Sequence, residues 1–429
     1  MATVRRLKSS EFVRHGLLVF ASTMIVNVAG FAYHLVVSRK IGVAGYGSLT
    51  ALISGIMMTI VPSTILASIT AKYAAEFRVL DDRLHLKALV RGIAFYVSAG
   101  AFAVVACGFA LAGPIATYLH IDDKLSIDLT LAILGLNVVL PVARGVFQGL
   151  EDFAGFSLSI AIEAILRSGL ATAFVFVGMG LRGALAGWLV GSLISLAYTL
   201  GVLLVRFNAA PKGELFLDLR RLAGTTFLVG SGTLITASLG NTDVILVKHF
   251  FDAQAAGLYG AVSFAGKMLL LVVGFVPTIV LPKATSRANA GGNPAPILFQ
   301  ALAIVAALAG SGLIVFYFFP TRIVTTLAGN AFAAGGPLVF SYALAMVLLA
   351  ALNVVVTFKM GAHRFDFIGP LVLCAVGEVV AIALRHQTLA GVVQILIVGN
   401  ALGLAASFYR IDSSKPRAQS RAAAHDAAA

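Results

Sequence analysis

The sequence predicts an all-α integral membrane protein of about 12 transmembrane helices, in two six-helix lobes related as parallel repeats. Three observations carry this expectation. Of 429 residues, 59% are hydrophobic and 11% charged, and the mean hydropathy of +0.98 lies far above that of a soluble globular domain. Apolar runs close to the ~20 residues that a bilayer demands recur along the whole chain. Short motifs of the first half return in the second at an offset of 212 residues: Gly45 with Gly257, Gly149 with Gly361, Phe153 with Phe365.

The first apolar run, Leu17 to Val37, is long enough to span and lacks a small-residue cleavage site, so it reads as a membrane helix over 15–38. The turn Ala44-Gly45-Tyr46-Gly47 leads into the second, 45–70, where Pro62 predicts a kink. Spans over 88–112 and 125–147 follow. The fifth, 153–178, begins after the polar turn Gln148 to Asp152. It holds Glu163 and Arg167 one helical turn apart, the acid first, which is the favourable order for an i,i+4 pair. Gly178 to Gly183 formally matches GxGxxG, but it joins two membrane helices and not a strand to a helix, so a dinucleotide site is discarded. The sixth span, 183–206, completes an N-terminal lobe of residues 1–206.

A basic linker, 207–221, carries Pro211 and Gly213. The C-terminal lobe, 222–410, repeats the pattern with spans over 222–249, 255–281, 297–319, 337–358, 366–385 and 388–409. Ala256-Gly257-Leu258-Tyr259-Gly260 marks its second helix and Pro277 matches Pro62. The tail, 411–429, is polar and low in complexity, and reads as disordered.

Charge along the loops sets the topology. Of the 31 Lys and Arg, 22 fall at the termini and on alternate loops, Arg144 among them, against seven on the other face: Arg39, Lys40, Lys124, Arg182, Lys248, Arg322 and Arg385. Both termini are therefore expected in the cytoplasm. The net charge of +13 is scattered over short loops, which argues against a nucleic-acid partner. Cys107 and Cys374 lie within apolar runs and read as packed thiols. No HExxH, P-loop or clustered His/Cys set is present, so neither a metal nor a cofactor is expected.

Ionisable residues at membrane depth are expensive and mark candidate sites. Arg167 and Lys267 are each about a dozen residues, roughly 18 Å, from either end of their spans, too deep to snorkel. Two such cations would attract an anion, Arg167 through a planar fork and Lys267 as a point charge. The other reading pairs Glu163 with Arg167, and Lys267 with Asp243 or Glu378, as structural ion pairs. Asn27, His34 and Asn241 could line the same cleft or hydrogen-bond between helices.

The run Arg144-Gly145-Val146-Phe147-Gln148-Gly149, followed by Glu163 and Arg167, resembles the polysaccharide transporter family, the O-antigen and capsule flippases. Arg39-Lys40-Ile41-Gly42 leading into Gly45-Tyr46-Gly47 is similar to that family's first loop, as is Asp243 to Leu246 followed by Gly257 to Gly260. The resemblance covers nearly the whole chain and extends to the wider superfamily of multidrug exporters, lipid II flippases and oligosaccharide-lipid flippases. It implies a V-shaped pair of lobes in the bacterial inner membrane. These would export an undecaprenyl-diphosphate-linked oligosaccharide by alternating access, alongside a polysaccharide polymerase and glycosyltransferases. On that resemblance Arg167 and Lys267, with Asn27 and His34, hold the substrate, Glu163 holds Arg167 in place, and Asp243 and Glu378 couple a proton or sodium ion. The lipid II flippase branch usually carries two further helices, which are missing here. A cation-coupled drug or metabolite antiporter is the transporter alternative. A membrane glycan polymerase or ligase would ordinarily need a sizeable external loop, and the loops here are short.

Overall fold

The computed structural model of the chain describes residues 2–207, 230–290 and 292–408. These residues form helices and turns, with no strand among them. The expected linker beyond Phe207 and the tail 411–429 lie outside the described residues.

Helix α1, Ala2–Val79, carries the first two spans, folded at Gly42 (φ 75°, ψ 175°). A side chain there would be strained, and glycine takes that backbone freely. The fold is sharp: His34 and Tyr46 would lie about 18 Å apart along a straight helix, yet His34 Nδ1 and the Tyr46 hydroxyl bond at 2.9 Å. The third span is α2, Arg83–Gly92, continued through a π-helical turn, Ile93–Val97, into α3, Ser98–Ala110. Asp82 caps α2 by accepting from the His85 amide. A short helix α4, Ala112–Leu119, leads to α5, Lys124–Gly149, α6, Phe153–Phe176, and α7, Gly180–Phe207. Gly178 (φ 93°) and Gly180 (φ 54°) make the turn between α6 and α7.

The second half begins with α8, 230–239. It breaks at Gly240 and Asn241 and resumes as α9, Thr242–Phe250. Then follow α10, Ala253–Val273, α11, Val276–Asn289, α12, Ala295–Phe318, and the short α13, Pro320–Ala328. The last three are α14, Gly336–Gly361, α15, Ile368–Leu384, and α16, Leu389–Phe408. Pro277 sits at the start of α11, where the eighth span is interrupted, whereas Pro62 lies inside the continuous α1. The two prolines therefore do not make matching breaks.

Among the described residues, nine helical stretches are long and apolar enough to cross a membrane, and Ile368–Leu384 is a shorter apolar one. The twelve expected spans are accounted for because Leu17–Val79 is folded and the seventh span is broken. The repeat is visible in the backbone. Glu151 (φ 56°) and His363 (φ 55°), again 212 residues apart, both take the left-handed conformation just after α5 and α14. In each half a short helix, α4 or α13, precedes the fourth span.

Toward the face where Phe207 and Phe408 lie, each half has its own apolar core. One is built around Val90, Val146, Phe147 and Leu203, the other around Val280, Leu298, Val354 and Phe358. Toward the opposite face a single core joins both halves, with Tyr46, Leu49 and Ile133 packed together with Tyr259, Val262 and Phe332. The repeated glycine motifs meet in this shared core. A Cβ on Gly257 would stand 2.0 Å from the Val43 carbonyl oxygen, and one on Gly47 would stand 2.6 Å from the Gly257 nitrogen. Backbone touches backbone across the lobes, the contact that small residues permit in a membrane. Nearby, Arg39 donates to the carbonyls of Thr326 (2.6 Å) and Leu327 (3.2 Å), and Ser38 to that of Ala328 (3.1 Å). The first lobe thus caps the C-terminus of a helix in the second.

Candidate functional site

Arg167 is held in place by tight packing of α6 on α7. A Cβ at Gly191 would lie 2.5 Å from the Arg167 nitrogen, so α7 rides directly on the α6 backbone there. The Arg167 guanidinium stands over the Trp188 ring, 4.7 Å from its centroid, a cation–π geometry. Its Nη2 approaches α1 at Gly30, 4.0 Å from an ideal Cβ. It makes no ion pair among the described residues.

Glu163 bonds elsewhere, which corrects the expectation that it holds Arg167. Its Oε2 lies 2.8 Å from Arg144 Nη2, and its Oε1 accepts from Ser192 (3.1 Å). Arg144, counted above as a loop residue, sits inside α5 and also donates to Ser159 Oγ (2.8 Å), the Ser159 carbonyl (2.9 Å) and Ser195 Oγ (3.0 Å). This is a satisfied polar network within the first lobe. It neutralises Glu163 and leaves Arg167 as a cation without a counterion.

Lys267 of α10 is a cation of the second lobe. It donates to Asn241 Oδ1 (3.2 Å), and no carboxylate of the described residues lies within ion-pairing distance. Asn241 in turn donates to the Ala237 carbonyl across the α8–α9 break (2.9 Å). Between the two cations lies His34. Its ring stacks on Phe264, one turn from Lys267 on α10, with centroids 4.0 Å apart. On α1, Gly30, where the Arg167 guanidinium approaches, is one turn before His34. The described residues therefore place one unpaired cation from each lobe around a His34–Phe264 stack that crosses between the lobes. Asn27 is exposed on α1, two turns before His34.

A second cluster lies within the second lobe. Asp243, fully buried, accepts at Oδ2 from the hydroxyls of Tyr259 and Tyr342, both at 2.8 Å. Ser263 then donates to the Tyr342 oxygen (2.9 Å), since the tyrosine proton is committed. Glu378 is 4% exposed on α15. Its carboxylate reaches α16, where Oε2 would stand 3.0 Å from a Cβ on Gly399. Asn400, the next residue, donates to the Ala345 carbonyl (3.0 Å). Asp243 Oδ1, Glu378 Oε2 and Asn400 Oδ1 are all buried without a donor. Each such oxygen costs about 1–3 kcal/mol, and all three are acceptors. A cavity of about 290 Å³ beside the α8–α9 break is lined by Glu378, Ser238 and Thr242.

Asp243, Glu378, Arg167 and Lys267 stand out in sequence as rare charges in apolar runs. Arg144, Trp188, Tyr342 and Asn400 do not, because neither their type nor their spacing is unusual in a membrane helix. Tyr259 lies in the repeated glycine motif, which marks its place but not its bond to Asp243. Cys107 is exposed on α3 and Cys374 half-buried, so neither is the fully packed thiol expected.

No protein-family model and no curated protein matches this chain. Solved structures do. An inward-facing multidrug resistance MATE family transporter of the MOP superfamily superposes with a TM-score of 0.71 at 11% identity, over 93% of this chain and 98% of that one. The lipid II flippase MurJ in an inward closed conformation gives 0.67 at 11% identity, over 92% and 88%. An outward-facing MATE family transporter of the same superfamily gives 0.63 at 12% identity, over 94% and 96%. At these identities the likeness establishes the fold, and this chain has the fold of those transporters.

Proposed function

We propose that this chain is a flippase that carries an undecaprenyl-diphosphate-linked oligosaccharide across the bacterial inner membrane by alternating access, serving surface polysaccharide synthesis. The carrying observation is the pair of cations, Arg167 and Lys267, one in each lobe and neither paired with a carboxylate among the described residues. A diphosphate supplies the oxygens that both lack, and its release would leave two like charges to drive the lobes apart. Glu163 acts at one remove, by holding Arg144 and the α5–α6–α7 packing on which Arg167 stands. Lobes 1–206 and 222–410 rock about the glycine contact, with both termini in the cytoplasm. On that orientation the shared core closes the outer face, and the separate cores leave the cleft to the cytoplasm. The chain moves its substrate without chemistry, with a polysaccharide polymerase and glycosyltransferases as its working partners.

The test is the leaflet distribution of the lipid-linked oligosaccharide in a deletion strain. We expect the intermediate to accumulate on the cytoplasmic face, with relief by the wild-type protein but not by Arg167→Ala or Lys267→Ala. Relief by both variants would reduce the cations to structural residues, and no accumulation would remove the glycan as substrate.

A second reading, a cation-coupled drug or metabolite antiporter, is favoured by one observation: the three donor-less oxygens of Asp243, Glu378 and Asn400. It predicts efflux of amphipathic cations that stops in Asp243→Asn. The two readings part at Arg167, which a cationic cargo would avoid.

A further inference from the structure

We propose that the groove between α2 and α7, on the face where Phe207 lies, is a binding site for an anionic phospholipid. Arg83, Lys87 and Arg91 recur every fourth residue of α2, so one side of that helix is basic. Lys87 and Arg91 line, with Val90, Leu204, Val205 and Phe207, a cavity of about 240 Å³. Its lining holds two bases and no carboxylate. Acids nearby are already engaged: Glu151 with Arg78 (2.7 Å), Asp152 with Arg206 (2.9 Å), Asp81 with Arg83 (3.8 Å), and Asp82 with His85. Arg91 is exposed and forms no ion pair among the described residues.

The rest of the groove fits acyl chains. Val205 is 79% exposed, and Val90 and Phe207 belong to the apolar core behind it. Directly after Arg91 the π turn Ile93–Val97 shifts the register of the span, and Phe95 and Tyr96 stand 69% and 67% exposed. The outward surroundings are therefore apolar, as a lipid requires and a soluble anion does not. Arg91, exposed and roughly 12 Å along the helix from Arg83, is within reach of the headgroup level by snorkelling, while Lys87, 7% exposed, forms the floor of the groove. A phosphate between them, with its tails along Leu204 and Val205, satisfies both halves of the groove. Basic pockets between membrane helices hold anionic headgroups for this reason.

The full-length protein in detergent is offered dioleoyl phosphatidylglycerol or dioleoyl phosphatidylcholine, and retained lipid is counted by native mass spectrometry. We expect phosphatidylglycerol to be retained preferentially. Arg91→Gln, at an exposed position that leaves the fold intact, should weaken that retention about fivefold. Arg322→Gln on the opposite face should not. Equal retention of the two lipids, or unchanged retention in Arg91→Gln, would overturn the proposal, as would displacement of the lipid by inorganic phosphate. None of these outcomes depends on what the protein transports.

Discussion

Glu163 has two arginines within reach and bonds the one on another helix. The reason is desolvation: Arg144 and Glu163 are only 12% and 14% exposed, and neither could remain charged there alone. Arg167 has the Trp188 face instead, and keeps its charge available. This assignment separates structure from function by mutation. Glu163→Ala should lower stability by about 3 kcal/mol, by stranding Arg144, and a paired replacement of both by Met should recover most of the loss. Arg167→Ala should stay within about 1 kcal/mol of wild type while abolishing transport. Denaturant titration of the detergent-purified variants checks the first two, and the transport assay the third. Sequence spacing exposes only partners on the same helix, which is why Glu163 and Arg167 look like a pair. The cross-helix choice depends on how α5 packs against α6. For Asp243 and Glu378 the reverse holds: their depth is legible in the sequence, and only their tyrosine and asparagine neighbours need the fold.

Helices α1 and α10 show the same division at the level of elements. The glycine motifs Gly45-Tyr46-Gly47 and Gly257-Leu258-Tyr259-Gly260 were readable as a repeat, and the lengths of most spans with them. That the two copies pack on each other was not readable, because a repeat period says nothing about where its copies meet. Nor was the break at Asn241, which depends on one or two residues inside an otherwise helical pattern, whereas the fold-back at Gly42 falls in the loop expected between the first two spans. The glycine contact predicts a large effect from a small change. Gly257→Ala places a methyl 2.0 Å from the Val43 carbonyl oxygen, so the backbones must separate. Cysteines at Ser38 and Ala328, whose polar atoms lie 3.1 Å apart, report that separation once Cys107 and Cys374 are replaced. Their cross-linking should fall severalfold in Gly257→Ala. It should be unchanged in Gly310→Ala, where an added Cβ meets nothing within 4 Å.

At the scale of the whole molecule, charge decides which step of the cycle the membrane potential drives. On the proposed flippase reading, with both termini in the cytoplasm, Arg167 and Lys267 give the empty transport site two positive charges. Loaded with a diphosphate it is close to neutral. One complete cycle therefore moves two negative charges outward, favoured by about 4.6 kcal/mol at 100 mV, interior negative, if they cross the full field. That free energy is not spread evenly over the cycle. The loaded transition moves almost no net charge, whereas the return of the empty cationic cleft to the negative side moves both. In sealed vesicles, net flipping should therefore accelerate with an inside-negative potential, while exchange of substrate between leaflets, which never requires the empty cleft to return, should be nearly indifferent to it. Lys267→Gln should leave the charge moved per cycle unchanged but shift one of the two charges from the return step to the loaded step, so that exchange becomes voltage-sensitive. If exchange proves as voltage-sensitive as net flipping, the loaded cleft is not neutral and the diphosphate is not held by these cations. If neither responds to potential and both respond to a proton or sodium gradient, the work is done at Asp243 and Glu378, and Asp243→Asn should abolish that response while leaving downhill exchange.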